Sequence, residues 1–192
     1  MVLTDNRKNT LLQAARLSME NAVKRTPNSP DFFQTSDTEL LRKAASFVTL
    51  KINGNLRGCI GSVIPTKTLI EDVRDNAAAG ALRDPRFSPV TEQELSLIDL
   101  HISVLSDFTD INPQNEYELF RILIPEVHGL ILNAENKRAT FLPSVWEMLP
   151  DKKEFMMHLL NKAGLRPDYD IRKLELITYK TENFSENKIY NG

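Results

Sequence analysis

A single cysteine, Cys59, sits in the string Leu56-Arg57-Gly58-Cys59-Ile60-Gly61, two residues after a cation and between two glycines. That spacing points to thiol chemistry. In an extended chain residues i and i+2 share a face, so Arg57 would stand beside Cys59 and favour the thiolate, which is the nucleophilic form. An ordinary thiol ionises near pH 8.5 and is only about 10% thiolate near pH 7.5; a two-unit drop takes about 2.7 kcal/mol. One guanidinium at roughly 6 Å, in an effective dielectric of about 20, supplies close to that amount, and burial opposes it. Gly58 and Gly61 remove side-chain bulk beside the sulfur, so a ligand or another backbone can approach closely. The competing reading is a small core cysteine, because Val48, Leu50 and Ile52 line the same face of the expected hairpin.

Other residues able to do chemistry are spread along the chain. His128 precedes Gly129 at a hairpin start, as a turn residue or as a general acid or base; a Cys59–His128 pair needs two halves of the fold to bring their hairpins together. Asp84 and Arg86 form a loop salt bridge or present charge to a ligand. His101 falls on the wet face of a strand beside Asp99, and His158 lies between core positions of a helix. The three histidines have no metal-ligand spacing, and no metal site is expected. The glycines match neither a phosphate-binding loop nor a dinucleotide fingerprint, so no cofactor is expected.

The elements that position these residues can be read from pattern and punctuation. Asn9 to Lys24 carries Leu11, Ala15, Met19, Ala22 and Val23 on one stripe, which predicts an amphipathic helix ended by Pro27 and Pro30. Ser36 with Glu39 predicts a capping box opening a short helix through Leu40, Leu41 and Ala44. Ser46 to Ile52 and Asn55 to Gly61 flank Asn53-Gly54, the strongest hairpin signal in the chain. A two-residue turn there pairs Ile52 with Asn55, Leu50 with Arg57 and Val48 with Cys59. Thr68 and Glu71 cap a helix with an alanine-rich end, and the prolines of Asp84 to Pro89 enforce a loop. Thr91 to Glu94 repeats the capping pattern over one turn. Ile98 to Val104 alternates as a half-buried strand.

Beyond the polar stretch around Asp110 to Gln114, Leu119 to Ile124 reads as a short strand. Gly129 to Asn133 and Arg138 to Leu142 read as a second hairpin, and Asp151 and Glu154 cap a helix that stops at Gly164. Leu174 to Lys180 is the last strand. The order hairpin, proline, helix, strand thus occurs twice, at about 46–106 and 127–180 with helices over 9–45 in front, which predicts one domain with an internal duplication. The expected class is α+β, with antiparallel sheets and helices on one side.

Composition narrows the function classes. The 192 residues are 41% hydrophobic and 26% charged, enough for a core without disulfides. Twenty-four basic and 26 acidic residues give a net charge of −2 with interspersed signs, so no nucleic-acid footprint is expected. No stretch approaches 18 uncharged apolar residues and the first 25 lack a signal-peptide core, so neither a membrane span nor export is expected. With one cysteine, a reducing cytoplasm is the expected location.

The strings SFVTLK before the turn, LRGCIGS from Leu56 and DVRDNAAAGALRDPRFSPVTEQEL from Asp72 to Leu95 resemble the AMMECR domain family, most closely its bacterial form in the AmmeMemoRadiSam system. So do ISVLS from Ile102, HGLIL from His128, RATFLPSVW from Arg138 and KAGL from Lys162; the resemblance spans roughly residues 10–185. The chain departs from the usual family pattern at Ile64-Pro65, Leu82, Ser144 and Asp170, positions of packing and rim. The resemblance implies a two-part α+β fold and a cytoplasmic protein. It also implies partners: a Memo-like protein, similar to class III extradiol dioxygenases, and a radical S-adenosylmethionine protein. It brings no established reaction. A small-molecule site at LRGCIG with Cys59 as the reactive or contacting group, and an adaptor module in which the same string is a packed hairpin, both fit.

Overall fold

Asn53 and Gly54 both take positive φ, 51° and 79°, in the computed structural model of the chain, which describes residues 3–26 and 35–186. This is the two-residue turn expected, and it joins β1 (Ser46–Ile52) to β2 (Asn55–Gly61). The other elements, in chain order around them, are α1 (Asp5–Lys24), α2 (Leu69–Leu82), β3 (Ile98–Ile111), α3 (Glu116–Ile122), β4 (Gly129–Ala134), β5 (Lys137–Phe141), α4 (Lys152–Lys162) and β6 (Glu175–Ser185). Three 3-10 turns, Glu92–Leu97, Pro143–Glu147 and Ile171–Lys173, link them. The strands form one six-stranded sheet in the order β2-β1-β3-β6-β4-β5. The fold is α+β, and by contacts it divides into Met1–Val104 with Glu182–Gly192, and Leu105–Thr181.

In the first unit, alternation decides the core. Val48, Leu50, Leu100 and Ile102 are completely buried on one face of β1 and β3 and pack with Leu11, Leu12 and Met19 of α1 and Val73 and Ala77 of α2. Each such side chain contributes about 1.5–3 kcal/mol by leaving water. The capping box of α2 forms as expected, with the Thr68 hydroxyl and the Glu71 carboxylate each satisfying the other's backbone N–H. The alanine-rich end lets the helix come very close to the hairpin: a Cβ on Gly58 would lie 2.3 Å from the Gly80 carbonyl oxygen.

A buried polar knot fixes α2 to the strand ends. Asp72, 4% exposed, accepts from the Ser46 N–H (2.8 Å) and hydroxyl (2.6 Å), the Asn76 amide (2.9 Å) and the Ser62 hydroxyl (2.7 Å). Asn76 also donates to the Ser46 carbonyl (3.0 Å). Four donors on one carboxylate are what makes its burial tolerable.

Two expected elements differ. Ser36 and Glu39 do not open a helix; residues 38–41 form a turn. The Asp37 carboxylate accepts from the Glu39 N–H (3.0 Å) and is held by Arg7 (2.8 Å). The carbonyls of Leu40 and Arg42 are taken by the first N–H groups of α2, those of Ile70 (3.1 Å) and Leu69 (2.9 Å). The segment serves as a main-chain cap for a neighbouring helix, and a helix of its own would withdraw those carbonyls. The prolines expected to end α1, Pro27 and Pro30, lie outside the described residues; the helix already turns out at Arg25, φ 55°, whose N–H donates to Ala22 and Asn21.

In the second unit the stretch Leu119 to Ile124, read as a short strand, belongs instead to α3 and its exit. Asn115 decides this: its side chain accepts from the Glu118 N–H (3.0 Å), and Glu118 in turn accepts from the Gln114 N–H (2.8 Å). The second hairpin pairs Ala134 with Lys137 across Glu135 and Asn136. Its core stacks Trp146 on Phe155 at 3.7 Å, with Phe141 edge-on to Phe155 at 5.2 Å. Asp151 caps α4, and Gly164, φ 71°, ends it with Leu165 N–H donating back to Leu160 (2.9 Å).

β3 and β6 run longer than their apolar patterns, to Ile111 and Ser185. Past Ser106 no side chain of β3 is fully buried, and Phe108 and Ile111 fall among Asp107, Thr109 and Asp110 without alternating, so the pattern gives no signal there. Among the described residues no helix is long and apolar enough to cross a membrane.

Candidate functional site

The hairpin carries a one-residue bulge that changes which side chains meet. Ile52 pairs with Asn55 as expected, but the register slips between Lys51, opposite Leu56, and Leu50, opposite Gly58. Arg57 is the extra residue. Cys59 therefore pairs with Thr49, and Val48 pairs with Ile60; the expected Val48–Cys59 and Leu50–Arg57 pairs do not form. Gly58, buried, takes the core-side place opposite Leu50, and Cys59 lies on the other face, half-buried. The cysteine does not share the face of Val48 and Leu50 that favoured a core role.

Arg57 turns away from the sulfur. Its guanidinium pairs with Glu94 through Nε (2.7 Å) and Nη2 (3.2 Å) and donates to the carbonyls of Ser88 (3.0 Å) and Pro89 (3.3 Å). Glu94 also accepts from Thr91 in the capping box of the 3-10 turn, and the Arg57 guanidinium holds its carboxyl down to about 2. Arg57 thus clamps the loop after α2 onto β2.

The edge of β2 is covered by two side chains acting as a surrogate strand. Asp84 Oδ2 accepts from the Cys59 N–H at 2.8 Å, and Arg86 Nη2 donates to the Cys59 carbonyl at 3.4 Å. Asp84 and Arg86 also pair with each other, at 2.7 and 3.0 Å. The Arg86 guanidinium, together with the Cys59 and Arg86 N–H groups, holds the Asp84 carboxyl well below the usual carboxylate range although its side chain is only 2% exposed. An exposed edge strand invites pairing with another chain, and this pair satisfies it locally. The cation beside Cys59 is accordingly Arg86, 54% exposed, with Nη1 free of any hydrogen bond among the described residues.

The sulfur itself accepts from the Thr49 hydroxyl at 3.2 Å. Across Thr49 on the other side stands His101, whose Nε2 lies 2.8 Å from Asp99. The glycines are explained by packing. Gly58 admits the backbone of Gly80, and a Cβ on Gly61 would meet the Phe47 ring at 2.2 Å. The close approach expected of a ligand or another backbone is a backbone at Gly58, and at Gly61 it is an aromatic ring, which is neither.

His128 belongs to the second unit. Its Nδ1 accepts from the Ile124 N–H (3.3 Å), its carbonyl accepts from Trp146 Nε1 (2.7 Å), and burial pushes its pKa below the ordinary imidazole value. It is the turn residue between α3 and β4, and as a base it is weakened by the bond its Nδ1 already makes. His158 is exposed on α4. Among the described residues no group of three or more His, Cys, Asp or Glu could hold a metal ion.

A family model described as AMMECR1 matches residues 12–184. The chain belongs to the AMMECR1 family. A relative in Methanosarcina barkeri, Protein Mbar_A1807, is 33% identical over 190 residues, spanning 97% of this chain and 94% of that protein. Protein MJ0810 of Methanocaldococcus jannaschii is 35% identical over 150 residues, 75% of this chain and 74% of its own length. The crystal structure of the uncharacterized protein PH0010 from Pyrococcus horikoshii superposes with a TM-score of 0.80 at 30% identity, covering 92% of this chain and 89% of that one. These names state no activity, so the chemistry of this AMMECR1-family chain has to be argued from its own residues.

Sequence reasoning missed Thr49, read Glu94 only as a helix cap, and left His101 and Asp99 as strand residues on the wet face. Gly58 inside a strand next to Arg57 was the available signal for a bulge. Counting one extra residue there moves Cys59 opposite Thr49.

Proposed function

We propose that this chain binds or processes a small molecule through the Cys59 thiol, as the A component of a cytoplasmic AmmeMemoRadiSam system working with a Memo-like protein and a radical S-adenosylmethionine protein. One observation carries the small-molecule reading. The backbone of Cys59 is pinned on both sides by Asp84 and Arg86, while the residue is half-buried and its sulfur is touched by a hydroxyl donor. A rigid backbone carrying a hydrogen-bonded nucleophile that is not in the core is a preorganised contact group. In this reading Arg57, Gly58, Gly61 and Asp84 position the thiol, and Arg86 presents charge to the ligand. The system assignment and the two partners rest on the resemblance over roughly residues 10–185, in which LRGCIG is the most specific string.

A second reading is an adaptor module that docks those partners without chemistry. It is favoured by the internal use of Arg57, Asp84 and both glycines, which are spent on holding loop, helix and hairpin together.

Cys59→Ala and Cys59→Ser separate the two. The thiol reading expects loss of function in complemented cells with unchanged melting temperature and unchanged capture of the partners. An unchanged cellular function, or a loss explained by a fall in stability of about 2 kcal/mol and weaker capture, favours the adaptor.

A further inference from the structure

The register of β2, β1 and β3 lines up four polar side chains on the face opposite the core. Cys59 is opposite Thr49, Thr49 is opposite His101, and Asp99 is two residues along β3 on the same face. The two ends of the row, Cys59 and His101, are two strand spacings apart, about 10 Å at Cα. All four residues are half-buried. Two contacts lie in the row, one at each end: Thr49 Oγ1 donates to Cys59 Sγ at 3.2 Å, and His101 Nε2 meets Asp99 Oδ2 at 2.8 Å; between the Thr49 and His101 side chains there is no hydrogen bond among the described residues. The other Asp99 oxygen is buried with no hydrogen-bond partner among the described residues, so the carboxylate is compensated mainly through the His101 ring. His101 Nδ1 has no hydrogen bond among the described residues.

A carboxylate that orients an imidazole, with a nucleophile on the same face, is the arrangement of general acid–base assistance. Building on the thiol reading above, we infer that His101 is the proton-transfer partner of Cys59, acting across Thr49 and positioned by Asp99, for addition of the thiol to a small carbonyl compound. The step is redox-neutral. The sulfur–carbon bond forms, the carbonyl π bond opens onto oxygen, and the thiol proton ends on that oxygen by way of His101, giving a reversible thiohemiacetal. Thr49 Oγ1 lies one hydrogen-bond length from the sulfur, which places a donor beside the oxygen of such an adduct. The charged groups around the row are Asp99 on β3, Lys51 on β1 opposite it, and Asp84 with Arg86 on the loop against β2.

The test uses the full chain. Alkylation of Cys59 by iodoacetamide is followed against pH in the native protein, His101→Gln, Asp99→Asn, Thr49→Val and Thr49→Ser. The expected native profile has two steps, the lower one coinciding with the His101 imidazole titration read by NMR. His101→Gln loses that lower step, Asp99→Asn moves it together with the His101 titration, and both react about tenfold more slowly near neutrality. Thr49→Ser keeps the native profile and Thr49→Val does not. A His101→Gln profile that superimposes on the native one overturns the partnership.

Where a variant fails to fold, the native chain decides. Capping Cys59 with methyl methanethiosulfonate shifts the His101 titration if the two are coupled, and an unmoved titration overturns the inference. With 13C-labelled acetaldehyde, a thiohemiacetal carbon signal absent from Cys59→Ser supports the carbonyl assignment, and no signal overturns it. A thiol alkylated only after unfolding removes the thiol reading itself, whereas a thiol that reacts in the native chain without regard to His101 removes only this step.

Discussion

Gly58→Ala is the sharpest perturbation available in the first unit. The added Cβ would stand 2.3 Å from the Gly80 carbonyl oxygen and 3.2 Å from its carbon, both backbone atoms of α2. An ordinary contact needs roughly 1 Å more, and no flexible side-chain tip is there to give way, so the helix and the hairpin must separate. Overpacking typically costs about 1–3 kcal/mol, and a backbone-to-backbone clash belongs at or above the top of that range. For a chain of this size each kcal/mol lowers Tm by about 2–4 °C, so Gly58→Ala should melt roughly 6–12 °C below the native protein. Gly54→Ala is the control: it has φ 79° and nothing within 4 Å, so only left-handed strain of about 1–2 kcal/mol applies. Calorimetry on both variants checks the ordering. A Gly58→Ala protein that melts with the native one, or above Gly54→Ala, would refute the claim that close packing of α2 dictates this glycine.

Asp84 and Glu94 both have lowered pKa values, so each stabilises the fold above the ordinary carboxylate range and loses that contribution as pH falls through its folded value. Urea midpoints should therefore decline on acidification from about pH 5, and Asp84→Asn should start lower and decline less steeply; an identical slope would contradict the assignment. Asp72→Ala strands the four donors of the polar knot, and a loss of about 3 kcal/mol or more is expected by chemical denaturation. A loss under 1 kcal/mol would mean that water or relaxation replaces the carboxylate.

Local chemistry made much of this fold legible. The Asn53-Gly54 turn, the Thr68–Glu71 box, the Gly164 cap and the alternation of Ile98 to Val104 each have a short-range cause that survives in the folded chain. What was not legible came from longer range. The segment after Ser36 gives its carbonyls to α2, and β3 continues past Ser106 where no apolar pattern marks it. At the site, the Asp84–Arg86 loop reaches Cys59, and both lie in strings that carry the family resemblance. The partner of Arg57 could not be read, because one bulged residue reverses the face of everything after it. Glu94 is 37 residues away from Arg57 in sequence, and nothing local announces the pair.

The accessibility of the Cys59 thiol in the folded protein tests the central claim most directly. Iodoacetamide labelling at one pH, in native and in urea-unfolded protein, gives the ratio that matters. A thiol of a half-buried residue on the face opposite the core should react in the native state at a rate within about tenfold of the unfolded chain. A thiol protected a thousandfold or more until global unfolding would contradict this account and return Cys59 to the core.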